Sequence, residues 1–375
     1  MRSLPDFPWD SLAPYKARAS SHAGGLIDLS IGTPVDPTPQ VVQDALRAAA
    51  DAPGYPQTYG TPDLREAVAT WFAARRGVEG LDPDGVLPTI GSKELVAWLP
   101  TLLGLGAGDI VAFPRAAYPT YDVGARLAGA TPVPVDSLTA LGPLTRSTTP
   151  KLLWLNSPSN PTGKVLGIEH LAKVVDWARR HGVIVASDEC YAELDWRPRE
   201  PAAHGEPPTT PSILDPRVTG GSHEGLLCVY SLSKQSNLAG YRAAFAAGDP
   251  VLIRELLEVR KHAGMMMPWP VQRAMIAALA DEAHVVEQKA RYAARRATLL
   301  AGVAAYGLRV DDSEAGLYLW ASADEDCWIT IGRLADLGVL AAPGAFYGAA
   351  GARHVRIALT ATDAHIAEAA ARLSA

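Results

Sequence analysis

Leu226-Leu227-Cys228-Val229-Tyr230-Ser231-Leu232-Ser233-Lys234 passes from an unbroken apolar run to a lysine set beside small hydroxyl residues. Consecutive apolar residues without alternation suit a strand buried on both faces. The lysine therefore lies just beyond the C-terminal end of a core strand, where ligands collect in open α/β sheets. Lysine is scarce in this chain, eight against twenty-six arginines, so its presence here is not casual surface decoration. Working outward, the runs Ile110–Phe113, 151–155 and 183–187 read as strands of the same kind, and the stretch Ile168–His181 reads as an amphipathic helix between two of them. Short buried strands alternating with helices predict an α/β fold around a mostly parallel sheet.

A helix is expected from Thr61, with Thr61 as cap, Pro62 in the first helical position, Leu64, Val68, Trp71 and Phe72 as an apolar stripe and Gly77 as stop. Residues 1 to about 30 read as an extended arm, and the proline-rich 32–39 as a loop. The segment 197–225, rich in Pro, Gly, His and Thr, reads as a surface excursion between two core strands. Beyond residue 250 two long helical patterns, Pro250–Ala263 and 270–300, precede strands at 308–310 and 316–320 and a terminal helix from about Asp363, the ending of a smaller α+β unit.

The 375 residues can bury a large core, and at a net charge of -6 with scattered basic residues the chain has no stripe for nucleic acid and no basic patch for a membrane. The longest uncharged stretch, 95–108, is too short to span a bilayer, and the N-terminus has no apolar signal region, so a cytoplasmic enzyme is expected. Cys190, Cys228 and Cys327 lack paired or ligand-like spacing, and the nine histidines show no metal pattern, so reduced thiols and no metal are expected.

Three motifs sit at strand ends in sequence order: Asn160-Pro161-Thr162-Gly163, then Asp188-Glu189-Cys190-Tyr191, then Ser231-Leu232-Ser233-Lys234 with Arg242 eight residues on. Each alone is weak, since Asn-Pro-Thr-Gly is a common turn. Together with Gly91-Ser92-Lys93-Glu94 at a helix start, they supply an amine, an acid, neutral donors and an anion cradle. This set resembles the site of a pyridoxal-phosphate enzyme, and from Gly32 to Arg356 the chain is similar to the fold-type I, class I/II aminotransferases, most of all to succinyldiaminopimelate aminotransferases.

The resemblance implies a large domain with a seven-stranded, mostly parallel sheet flanked by helices (46–255), and a smaller α+β domain built from an N-terminal arm (1–45) and the C-terminal part (256–375). Lys234 would hold the cofactor's aldehyde and act as base, Asp188 would pair with the ring nitrogen, and Asn160 and Tyr191 would donate to the phenolate oxygen. Ser231, Ser233, Arg242 and the amides of Ser92 and Lys93 would hold the phosphate, Tyr118 would stack on the ring, and Tyr55 would reach the phosphate of a second subunit, which implies a homodimer. Arg356 would grip the substrate α-carboxylate, with Asn160 beside it and Gly32 in the loop that closes over it.

Substrates would be amino and keto acids, with glutamate as donor. A succinylated diaminopimelate would require further cations, for which Arg115, Lys16 and Lys261 are candidates. A pyridoxal-phosphate lyase of C–S bonds would use the same cofactor residues. A ligand-sensing regulator would need a DNA-binding domain ahead of Gly32, and the stretch there is too short for one.

Overall fold

The computed structural model describes residues 4–198 and 210–375. A seven-stranded sheet runs in the order Val86–Ile90, Ala243–Gly248, Leu226–Ser231, Ile184–Asp188, Leu152–Asn156, Ile110–Phe113, Thr131–Pro134. Ala243–Gly248 is antiparallel to both its neighbours, and every other pairing is parallel. This is the fold expected of the sequence, with register such that Asn156 pairs Asp188 and Asp188 pairs Val229, bringing successive motifs to one edge. Leu226–Ser231 and Leu152–Asn156 are buried at every residue, as unalternating apolar runs demand.

Helices cover both faces. Pro62–Arg76 begins where the sequence places it, with the Leu64 amide donating to Thr61 Oγ1 at 3.3 Å, and ends at Gly77 in the left-handed conformation. Its Trp71 sits 4.5 Å from Tyr230, which stacks on Phe245 at 5.6 Å, so strand and helix share one aromatic core. Burying each such side chain stabilises the fold by roughly 1.5–3 kcal/mol. A second, four-stranded antiparallel sheet, Ala342–Pro343, Val355–Ala358, Tyr318–Ser322, Arg309–Asp311, is backed by Ala283–Ala305 and Asp363–Leu373. Ile27–Asp28 pairs in parallel with Val339–Leu340.

Three expectations need correction. The N-terminal stretch is not extended: it forms a 3-10 helix, Pro8–Leu12, and an α-helix, Ala13–Ser20. The pattern over 270–300 is two helices, Trp269–Ala280 and Ala283–Ala305, interrupted where Asp281 Oδ2 accepts the His284 amide at 3.1 Å. Part of the 197–225 segment, 199–209, lies outside the described residues. Past it, Thr210 and Ser212 to Asp215 are buried, not a surface excursion, because the Ile213 amide donates to the buried Glu189 Oε1 at 2.7 Å.

Candidate active site

The C-terminal ends of the parallel strands open into a cavity of about 1150 Å³ whose walls include Asn160, Asp188, Tyr191, Ser231, Ser233, Lys234, Arg242 and Arg356, together with Gly32, Ser92, Lys93 and Tyr118. Sequence neighbours thus meet residues from opposite ends of the chain. Of the residues named from the sequence, Tyr55 does not line it. Tyr55 is 96% exposed, so any contact with a cofactor would have to be in another copy of the chain.

Lys234 follows the strand Leu226–Ser231 in a one-turn helix, Leu232–Gln235, and its Nζ donates to Gly32 O at 2.5 Å. Gly32 is required there: a Cβ would lie 2.0 Å from Tyr318 Oη. Ser231 Oγ donates to Ser233 Oγ at 2.8 Å, and Arg242, at a left-handed position, anchors one guanidinium nitrogen on Ala239 O at 2.9 Å. Gly91, at φ 81°, precedes the helix Ser92–Leu102, and a Cβ on it would meet Arg242 Nη2 at 2.1 Å. A guanidinium laid across a helix N-terminus, beside two serine hydroxyls, is an anion cradle. Glu94 on the first turn is held by the fully buried Arg260 through bonds of 2.7 and 3.1 Å, which fixes the helix start from behind.

Asp188 ends its strand with both carboxylate oxygens on neutral donors, Tyr121 Oη at 2.9 Å and the Cys190 amide at 3.2 Å. Burial pushes its carboxyl above the ordinary range, against hydrogen bonds from Cys190 and Tyr121 and the pull of Lys234. Asn156 Nδ2 donates to Asp188 O at 2.9 Å, and its Oδ1 accepts the Asn160 amide at 2.7 Å, so the first two motifs are stitched through a residue that carried no signal in the sequence.

Arg356, 3% exposed, donates to Asn160 Oδ1 at 2.9 Å and Ser30 O at 2.7 Å while its Nε has no partner. Its guanidinium lies 3.8 Å from the ring of Tyr318 and 4.9 Å from that of Tyr347. Tyr191 and Tyr318 share a hydroxyl contact of 3.2 Å. Burial works against ionisation of Tyr318, but Arg356 and Lys234 outweigh it and hold the phenol below its usual range, whereas burial and the neighbouring Tyr318 push Tyr191 well up. Sequence reasoning misses Tyr318, Tyr347 and Tyr121 as site residues; only Tyr121 carries a signal, three residues past Tyr118. Of the candidate distal cations, Arg115 lines the cavity, and Lys16 and Lys261 do not: they pair with Asp28 at 3.7 Å and Glu258 at 2.5 Å.

The residues present fit pyridoxal phosphate. Asp188 is a buried acid whose hydrogen-bond donors among the described residues are neutral, which leaves it to a protonated ring nitrogen, and the Arg242 cradle suits a phosphate. The Lys234 amine lines the same cavity.

Residues 25–373 match the family model for aminotransferases of class I and II. Over the whole of both chains the sequence is 58% identical to a 4-dedimethylamino-4-oxo-anhydrotetracycline transaminase, OxyQ, of Streptomyces rimosus. It is 57% identical to a probable aminotransferase of Mycobacterium tuberculosis, over 99% of this chain and 86% of the relative. The structure of a probable N-succinyldiaminopimelate aminotransferase from Thermus thermophilus superposes with a TM-score of 0.84 at 30% identity, covering 98% of this chain and 99% of that one. The chain belongs to the class I and II aminotransferases, a pyridoxal-phosphate-dependent family of fold type I.

Proposed function

We propose that the chain moves an amino group between glutamate/2-oxoglutarate and N-succinyl-LL-2,6-diaminopimelate/N-succinyl-2-amino-6-oxopimelate, a step of diaminopimelate and lysine biosynthesis. The observation that carries it is Arg356, a buried cation whose hydrogen-bond partners among the described residues are neutral, in the cavity that holds Lys234 and Asp188. Buried charges are ordinarily paired, so this one is an anion site, here for the substrate α-carboxylate. Arg115 on the same cavity is the cation for a distal carboxylate. The Thermus thermophilus relative's name supports the choice of substrate.

Pyridoxal phosphate, when bound, supplies an electron-accepting ring and an aldehyde that carries nitrogen from one substrate to the next. Lys234 Nζ would move the proton between the substrate Cα and the cofactor's aldehyde carbon, and Asp188 would keep the ring nitrogen protonated. Asn160, whose Oδ1 is committed to Arg356, has its Nδ2 left to donate beside Tyr191. Ser231, Ser233, Arg242 and the amides of Ser92 and Lys93 would hold the phosphate, Tyr118 would lie against the ring, and Gly32 would lie in the loop over the substrate. Tyr55 serves the cradle of a second copy in a homodimer with its sites at the interface. Three unpaired, buried thiols suit a cytoplasmic setting.

A second reading, transamination of a fused-ring ketone, is favoured by the 58% identity to the Streptomyces rimosus enzyme. The test is the purified, pyridoxal-phosphate-loaded enzyme with N-succinyl-LL-2,6-diaminopimelate and 2-oxoglutarate, glutamate being quantified by chromatography. Glutamate formation is expected. No turnover while aspartate or alanine reacts well discards the succinylated substrate, and pyruvate and ammonia released from cystathionine would make the enzyme a lyase instead.

A further inference from the structure

Beyond Arg356 the cavity continues along surfaces of which Arg115 alone has been given a role above. Its far wall is the segment from Leu4 to Trp9. Phe7 and Trp9 lie 5.6 Å apart, Trp9 is 5.1 Å from Phe346, and Trp9 meets Tyr347 edge-on at 6.4 Å. Tyr347 in turn covers the Arg356 guanidinium at 4.9 Å. An aromatic track therefore leads from the carboxylate arginine to the mouth of the cavity. Phe7 is 56% exposed within that mouth, an apolar face open to a ligand's methylene groups.

Two cations border the track. Lys93 Nζ stands 5.7 Å over the Phe7 ring, so its side chain reaches toward the N-terminal segment while its amide faces the helix start. Arg115 is exposed on the cavity wall, its amide fixed by Asp136 Oδ1 at 3.1 Å, and the Ala117 amide ties the same loop to Tyr347 O at 2.9 Å. Among the described residues neither side chain is in an ion pair, whereas Arg126 on the same wall is neutralised by Asp122 at 2.7 Å. Asp6 is the acid lining this end of the cavity, and the Asp136 carboxylate beside it is held on the Arg115 backbone amide, which leaves the Arg115 guanidinium without an ion pair among the described residues.

We propose that this track is a distal subsite that selects amino acids with a long methylene chain ending in a carboxylate. The methylenes lie on Phe7 and Trp9, the carboxylate binds Arg115, and Lys93 adds positive charge beside it. The proposal deepens the substrate reading above and rests on Arg356 as the α-carboxylate site.

The test uses Arg115→Gln and Phe7→Ala in the cofactor-loaded enzyme, both exposed positions where substitution leaves the core intact. The ratio of kcat/KM for 2-aminopimelate to that for alanine, with 2-oxoglutarate as acceptor, is compared with the parent. Arg115→Gln is expected to lower it roughly 10- to 100-fold, the size of one charged hydrogen bond, through KM more than kcat, and Phe7→Ala several-fold. Calorimetric binding of pimelate, a dicarboxylate without the amine, is expected to weaken in parallel. An unchanged ratio and unchanged pimelate affinity in both variants overturn the subsite. If the parent fails on N-succinyl-LL-2,6-diaminopimelate but the ratio still falls, the subsite stands and that substrate does not; turnover of the succinylated compound untouched by either variant keeps the substrate and discards the subsite.

Discussion

Replacing Arg76 by Met tests whether the end of the Asp188 strand is held by a buried ion pair. Arg76 Nη2 donates to Glu189 Oε2 at 2.9 Å and to Thr210 O at 3.1 Å, and both side chains of the pair are 1% exposed. At an effective dielectric of about 20 the bare attraction at that distance is about 6 kcal/mol, most of which is offset by desolvating the two ions. Removing the cation alone leaves Glu189 buried on neutral donors, the Ile213 amide and the Cys228 thiol, which costs about 3–5 kcal/mol. With roughly 2.1 cal/mol/K of unfolding entropy per residue over 375 residues, about 0.8 kcal/mol/K in all, the melting temperature should fall roughly 4–6 °C. Protein and pyridoxal-phosphate concentrations are held fixed, because ligand and assembly both move the midpoint. The double variant Arg76→Met/Glu189→Gln keeps an acceptor for Ile213 and removes both charges, so it should recover most of the loss. A single variant within about 1 °C of the parent, or a double variant as unstable as the single, refutes the reasoning.

Lys234→Ala should abolish turnover yet still bind pyridoxal phosphate, since Asp188 and the phosphate cradle remain; near-parental turnover, measured alongside a fluorescence titration with the cofactor, would remove the lysine from the chemistry. Arg356→Ala should raise KM and lower kcat/KM by about 2–3 kcal/mol, the range for hydrogen bonds to a charged group, and an unchanged KM would move the carboxylate site elsewhere. Asp36 accepts two bonds from Arg295, at 2.7 and 2.6 Å, and one from Gln288 at 2.7 Å. Burial opposes its charge, but those bonds outweigh it and hold the carboxyl below its ordinary 3.8. A depressed folded pKa gives stability that is complete above the unfolded value and lost as pH falls through the folded one. The melting-temperature gap between the parent and Asp36→Asn should therefore be full at pH 7 and narrow once the pH drops below about 4; a gap that persists undiminished at pH 3 contradicts this account.

What could be read from the chain was what is local to it. Lys234, Asp188 and Asn160 each announce themselves through a short polar motif that follows a run that must be buried. Of the three sheet strands the sequence concealed, Ala243–Gly248 is a run of mostly alanine, while Val86–Ile90 and Thr131–Pro134 carry Pro88, Pro132 and Pro134 and are the two edges of the sheet. Proline was correctly a signal against a central strand; it is tolerated at an edge, where a ladder donor is not required. The N-terminal prolines misled in the opposite direction, because Pro8 and Pro14 occupy the first positions of helices and start them. Tyr318 and Tyr347 gave no signal at all: in sequence each is one more aromatic in an apolar stretch. They reach Arg356 through the pairing of Tyr318–Ser322 with Val355–Ala358 and the 3-10 turn Gly344–Tyr347.

The charge balance of the cavity is a tertiary property of the same kind. Asp188 and Arg356 are opposite charges, both buried in one cavity, and the ordinary outcome would be an ion pair. Instead Asp188 is turned onto Tyr121 and the Cys190 amide, and Arg356 onto Asn160 Oδ1, Ser30 O and two aromatic faces. Neutral partners satisfy the hydrogen bonds of each without cancelling its charge. The fold thus maintains a separated acid and cation with Lys234 in the same space, and under the proposed function a ligand would bring the missing counter-charges: a protonated ring nitrogen for Asp188 and a carboxylate for Arg356.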